Sequence, residues 1–226
     1  MAILFVSANG TTDIDSGASE TISLTITNAT DMVIVGFETV DVEPTSITFN
    51  SFGMTEGITR LDTDYLDKYC GLYYILNANL PVAGTYNVTI TGGVNRIFGA
   101  IALSGTAQQA PTATAQQSDD TADTDKDINI SVSTANSWVI DAIQGILDTG
   151  FVNQVCNNDT TRGDVEVDTG GDWFSFGMST MEDVSIGTTN MSWTQDGGVI
   201  GGHAAMVIAP AQPGHYIGFA NTLQTA

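Results

Sequence analysis

The chain has 226 residues, enough for one large β domain or two of about 100 residues that each bury their own core. Gly, Thr, Ser, Asn, Val and Ile dominate while Lys and Arg together number only 5, which excludes long amphipathic helices as the main architecture. With 26 acidic residues and a net charge of −21, the chain repels nucleic acid and anionic membrane, and neither is expected as a partner.

The first segment, Met1-Ala2-Ile3-Leu4-Phe5-Val6-Ser7, lacks a basic n-region and is too short an apolar run for a signal peptide or a membrane span, so it is read as a first strand. Strict alternation follows in Thr21-Ile22-Ser23-Leu24-Thr25-Ile26-Thr27, with three aliphatic residues on one face and hydroxyls on the other. The same period of two recurs in Tyr86–Ile90, Ile128–Val132 and Val165–Val167, each bounded by Gly, Asn, Asp or Pro. Many short antiparallel strands of this kind predict a sandwich or barrel.

The chain also repeats itself. At an offset of about 106 residues, Ile22, Leu24 and Ile26 fall on Ile128, Ile130 and Val132, and Met32-Val33-Ile34 falls on Trp138-Val139-Ile140. Both copies are expected to form hairpins here. At an offset near 103, Gly84–Ile90 falls on Gly187–Trp193, and both copies end on apolar strands, Ile101–Gly105 and Met206–Pro210. Two tandem antiparallel β-sandwich domains related by internal duplication are therefore expected, at 1–108 and 109–212, joined through the small, uncharged segment Ala107–Thr114. Residues 213–226 lie beyond the repeat, and Tyr216, Ile217 and Phe219 give them the makings of a C-terminal docking arm or a tail strand that folds back.

Candidate chemistry is thin. Asp119, Asp123, Asp125 and Asp127 alternate along an acidic run, a pattern that can supply hard oxygen ligands to a structural Ca²⁺. The run lacks the Gly and bidentate Glu of an EF-hand and contains Lys126, so a solvated acidic turn competes with the metal site. Asp13 and Asp15 occupy the comparable turn of the first copy. Asp62, Asp64 and Asp67 form a second acidic loop, but a carboxylate pair is not a glycosidase site without a cleft between the two groups. His203 and His215, the two histidines, have no Gly-x-Ser-x-Gly nucleophile nearby, and no phosphate-cradling Gly loop with Lys is present. Trp173, Phe174, Phe176, Trp193, Tyr65 and Tyr69 either stack against a sugar ring or fill the cores, and alternation sets Phe176 and Met178 in phase with Tyr73 and Ile75 as core residues. Cys70 sits in an apolar run and is read as a small buried hydrophobe, with Cys156 in a turn.

Leu72–Leu76, then Pro81-Val82-Ala83-Gly84-Thr85-Tyr86-Asn87-Val88-Thr89-Ile90, then Gly99-Ala100-Ile101-Ala102-Leu103-Ser104-Gly105 resemble the jelly-roll-like modules of tailed-virus structural proteins and bacterial surface proteins. The likeness spans most of residues 1–212 and implies display or adhesion, with no catalytic residue and no cofactor. On this resemblance the expected role is that of a non-enzymatic virion protein, a capsid decoration, turret or tail-attached protein. It would form a homo-oligomer, contact other virion proteins and meet a host-surface glycan. The alternative is a secreted carbohydrate-binding or adhesion module at a cell surface.

Overall fold

The computed structural model describes residues 1–11, 18–62, 68–147, 154–157, 159–168 and 173–212. The chain is an all-β, antiparallel sandwich, and among the described residues no helix is long and apolar enough to cross a membrane.

The first half contributes β1 (Leu4–Thr11), β2 (Ser19–Ile26), β3 (Met32–Phe49), β4 (Phe52–Gly53), β5 (Thr55–Asp62), β6 (Lys68–Leu76) and β7 (Gly84–Ser104). They form one sheet in the order β1-β7-β3-β6-β5, with β2 also on β7 and β4 on β3. The second half contributes β8 (Ala113–Val132), β9 (Ser137–Leu147), β10 (Gln154–Cys156), β11 (Thr160–Asp168), β12 (Trp173–Val184) and β13 (Gly187–Ile208), ordered β10-β13-β9-β12-β11 with β8 on β13.

The long strands bend and so serve two layers. β3 shifts register between Val40 and Ser46, where Asp41 takes a positive φ, and β7 passes through Gly92, Gly93 and Asn95, all at positive φ. Beyond these bends the strands leave the inner layer and build an outer one with β2, as strands that switch sheets through bulges do. Ile22, Leu24 and Ile26 of β2 then close over Val33, Val35, Phe37, Ile75 and Phe98 of the inner layer. The expected hairpins are overturned here: β2 pairs with β7 and not with β3, and the chain arches between layers through Thr27–Asp31. The alternating faces were read correctly, but they meet across a core instead of side by side.

The second half repeats this pairing. Ile22 opposite Val88 becomes Ile128 opposite Met191, Ile34 opposite Ile101 becomes Ile140 opposite Met206, and Gly36 opposite Leu72 becomes Ala142 opposite Met178. The register shift between Glu56 and Ile58 in β5 recurs between Thr161 and Gly163 in β11. Phase expectations for the β12 aromatics need correction: Phe176 and Met178 correspond to Cys70 and Leu72, because β6 and β12 match at the same spacing as β3 and β9.

The main core lies between the halves. Met32, Ile34, Cys70, Leu72, Tyr74 and Ile101 from one sheet meet Trp138, Ile140, Phe176, Met178, Met206 and Ile208 from the other. Burial on both faces explains why Met32–Val40 carries no exposed residue. The sheets are in close contact at Gly36, where a Cβ would lie 3.2 Å from Met178 Sδ and 3.3 Å from the Cβ of Ala142. Contacts are reciprocal: Cys70 Sγ donates to the carbonyl of Ala142 at 3.3 Å, while its counterpart Phe176 meets Gly36, the counterpart of Ala142. At the rim, Arg162 of β11 lies 4.1 Å over the Phe5 ring of β1 and pairs with Glu182.

The chain crosses once between sheets, at 105–112, and this crossing is tied down. Gly105 has φ +72, and a Cβ there would come within 2.0 Å of the Ala2 carbonyl, so only glycine fits. Asp31 Oδ2 accepts from the Gly105 amide at 2.6 Å, Gln108 Nε2 donates to the Asp31 carbonyl at 3.0 Å, and the Ala107 amide donates to the Ala209 carbonyl at 2.8 Å.

Candidate functional site

The acidic run is strand and not a turn: residues 119–127 continue β8 and pair with β13. Asp125 and Asp127 are exposed, with Asp125 Oδ1 accepting from Thr194 Oγ1 at 3.3 Å, and the side chains of Asp119 and Asp123 lie outside the described residues. In extended backbone, alternate side chains on one face stand about 7 Å apart, whereas Ca²⁺ gathers six to eight oxygens within about 2.6 Å. Among the described residues no three His, Cys, Asp or Glu side chains stand close enough to share a metal ion. Tyr216, Ile217 and Phe219, together with His215, Asp13, Asp15, Asp64, Asp67 and Tyr65, lie outside the described residues, as does the side chain of Asp62. Of the aromatic candidates, Phe176 and Trp193 are buried and Tyr69 is half-buried, while the side chains of Trp173 and Phe174 are not among those described. Both cysteines are free thiols, Cys70 buried and Cys156 at the end of β10.

The densest polar cluster was missed by sequence reasoning. Asp141 of β9 is completely buried, with both carboxylate oxygens engaged. Its Oδ1 accepts from the Ser179 amide at 3.0 Å and from Ser179 Oγ at 2.6 Å, and its Oδ2 is 2.8 Å from both Trp193 Nε1 and His203 Nε2. Ser179 Oγ also lies 3.2 Å from Asp159 Oδ2, which extends the cluster toward Cys156. Burial, reinforced by the nearby Asp141 charge, pushes the Asp159 carboxyl up to about 6, and burial pushes the Cys156 thiol up to about 11.

The same positions of the first half are apolar. Val35, Phe98 and Ile90 stand in matched register where the second half has Asp141, His203 and Trp193. In the sequence alone, Asp141 was not singled out, His203 was set aside for want of a nucleophile nearby, and Trp193 was treated only as an aromatic. The available signal was an Asp within the apolar run Trp138–Ile143, in phase with a lone His.

An Asp–His pair supplies two of the three members of a nucleophilic triad, so the other imidazole nitrogen decides what the cluster can do. His203 Nδ1 has no hydrogen-bond partner among the described residues, and His203 lines a cavity of about 10 Å³ with Gln117, Lys126, Asp127 and Gly201. Such a space holds about one water molecule and no substrate group. The cluster cross-links β9, β12 and β13 at the centre of the second half.

An uncharged polar surface lies on the outside of the first half. Thr48, Asn50, Ser51, Thr85, Tyr86, Asn87 and Thr89 line an open cleft of about 300 Å³. Asn50 and Ser51, both at positive φ, form the β3–β4 turn at its rim, and the Asn50 amide donates to the Asn87 carbonyl at 2.8 Å. Across the adjoining strands, the hydroxyls of Thr21 and Thr89 bond at 2.9 Å and those of Thr25 and Thr85 at 2.8 Å.

No family model, curated protein or solved structure matches this chain.

Proposed function

We propose that this chain is a non-enzymatic structural protein of a virion exterior, a capsid decoration, turret or tail-attached protein, built from two jelly-roll-like units related by duplication. The observation that carries the reading is the reciprocal packing of the halves, in which Cys70 meets Ala142 while Phe176 meets Gly36. Reciprocity of this kind is what a two-fold interface between like units produces. Matched registers on both sides of it support descent from one unit. The arrangement commits the best apolar surface to the inside and turns two polar outer layers and the sheet edges outward for contacts with neighbours. An acidic shell with a net charge of −21 suits display in water beside other copies and other particle proteins.

The test is the size and position of the chain in material purified from its source. Electron microscopy with labelled antibody should find it at regular positions on a particle, and light scattering should find it in a large assembly. A free monomer in the surrounding medium would overturn the virion assignment and favour the secreted adhesion module.

A further inference from the structure

We infer that the outward face of β2, β7 and the β3–β4 turn binds a neutral glycan, seated in the cleft between Thr48, Asn50, Thr85, Asn87 and Thr89. This goes beyond the assembly reading and does not depend on it, since the cleft is complete within one chain.

Three observations carry the inference. The first is charge. Every lining residue is uncharged, although the chain carries 26 acidic residues, so this patch offers a ligand hydrogen bonds without a local carboxylate to repel or desolvate. A polyanion would still meet the field of the whole molecule, and a neutral ligand would not.

The second is unspent hydrogen-bonding capacity. Thr21 with Thr89, and Thr25 with Thr85, each form one hydroxyl–hydroxyl bond. Two hydroxyls own two donors and four lone pairs, so each pair retains one donor and three acceptor sites. The exposed amide of Asn87 lies between these pairs in the ladder, opposite Ser23. A cleft of about 300 Å³ is at the lower end of small-molecule sites, enough for one or two sugar units of a longer chain.

The third is a ligand-like group already bound in the other half. Ser192 and Thr194 stand on β13 where Thr89 and Thr91 stand on β7, and they grip the side-chain amide of Asn157. Asn157 Nδ2 donates to Ser192 Oγ at 3.0 Å and to Thr194 Oγ1 at 2.9 Å, and Thr194 Oγ1 lies 3.1 Å from Asn157 Oδ1. In the second half Asn157, the residue after β10, supplies this group from within the chain. On the first half the outer part of β3 takes the place of β10, so Thr48 stands opposite Thr89 where Asn157 stands opposite Ser192, and this shorter side chain is one wall of the cleft. A sugar hydroxyl or an acetamido group presents the same neighbouring donor and acceptor as the Asn157 amide.

The experiment titrates the full chain by calorimetry with three neutral hexasaccharides, of N-acetylglucosamine, glucose and mannose, and with a sulfated hexasaccharide. At least one neutral ligand should bind with one site per chain. Asn87→Asp, which adds a charge at an exposed position, should weaken it about tenfold or more, and Thr48→Val should weaken it in the same direction. Asn190→Asp, the matched change on the second half, should leave it unchanged. Absence of binding by all three neutral ligands at about 10 mM, preference for the sulfated one, or equal loss in the Asn87 and Asn190 variants would overturn the inference. Thermal melts of each variant separate a lost site from a lost fold.

Discussion

Asp141 and His203 lie 2.8 Å apart in a core whose matched positions in the other half are Val35 and Phe98. A carboxylate that satisfies four donors at once is costly to remove and costly to strand, because each donor it leaves behind stays buried. Asp141→Val alone should therefore cost about 3–5 kcal/mol in urea unfolding, the range for breaking a buried pair from one side. The double variant Asp141→Val with His203→Phe, which restores the apolar pairing of the first half, should recover part of that loss. Equal stability of the single variant and the parent would show that the cluster contributes nothing to the fold.

Asp159 gives the cluster a pH signature. Its carboxyl is raised from the ordinary 3.8 to about 6, chiefly by burial. Below 3.8 both folded and unfolded chains hold the proton, and the group has no effect. Between 3.8 and about 6 the unfolded chain releases its proton while the folded chain retains it, so stability falls as pH rises, and above about 6 the loss is complete. Compared with Asp159→Asn, the parent should lose stability across that window and run parallel outside it. Urea midpoints of the two proteins from pH 3 to 8 read the difference directly, and a constant gap at every pH would contradict it.

Gly36 and Phe176 should behave as a coupled pair. A side chain at 36 meets Phe176, Met178 and Ala142 at 3.2–3.3 Å. Gly36→Val should destabilise by about 1–3 kcal/mol through overpacking, and Phe176→Ala by about 3–5 kcal/mol through the cavity it leaves. Together they should cost clearly less than the sum, since the cavity accepts the added methyls. Additive costs would mean that the two halves do not press on each other there.

The two thiols should differ in kind. Cys156, pushed up to about 11 by burial, holds only about 0.1 % thiolate at pH 8, so a chromogenic disulfide should label it far more slowly than a free cysteine. Cys70 is fully buried and should react only when the chain unfolds. Labelling with and without denaturant, followed by peptide mapping, distinguishes them. Rapid native labelling of Cys70 would show that the central core opens.

Much of the architecture was legible because strand alternation is local. Ile22, Leu24 and Ile26 announced a half-buried strand, and their match to Ile128, Ile130 and Val132 holds in the ladder registers. Partner choice was less accessible, since β2 and β3 face each other across a core, and a face can be read from sequence without saying which layer it closes. Met32–Ile34 was read only as an arm of a hairpin, and the core shared by both halves explains why the run Met32–Phe37 is apolar on both faces. The acidic run 119–127 was misread as a turn because intrinsic preference counts against Asp in strands. Here β8 keeps its extended form by pairing along β13. Asp141 was invisible as a site because its partners come from β12 and β13, 38 to 62 residues away.

The ammonium of Met1 donates to the carbonyl of Ala211 at 2.8 Å. The first and last described residues of the sandwich thus share one pole, although the path between them runs through every strand. A cargo fused ahead of residue 1 and another fused behind residue 212 would emerge side by side. A short bridge between those ends, with new termini opened elsewhere, would leave both sheets wired as they are. Tension between the two ends would act at that single pole, on β1 and the end of β13, and would pull first on Ile3 and Ile208 of the central core.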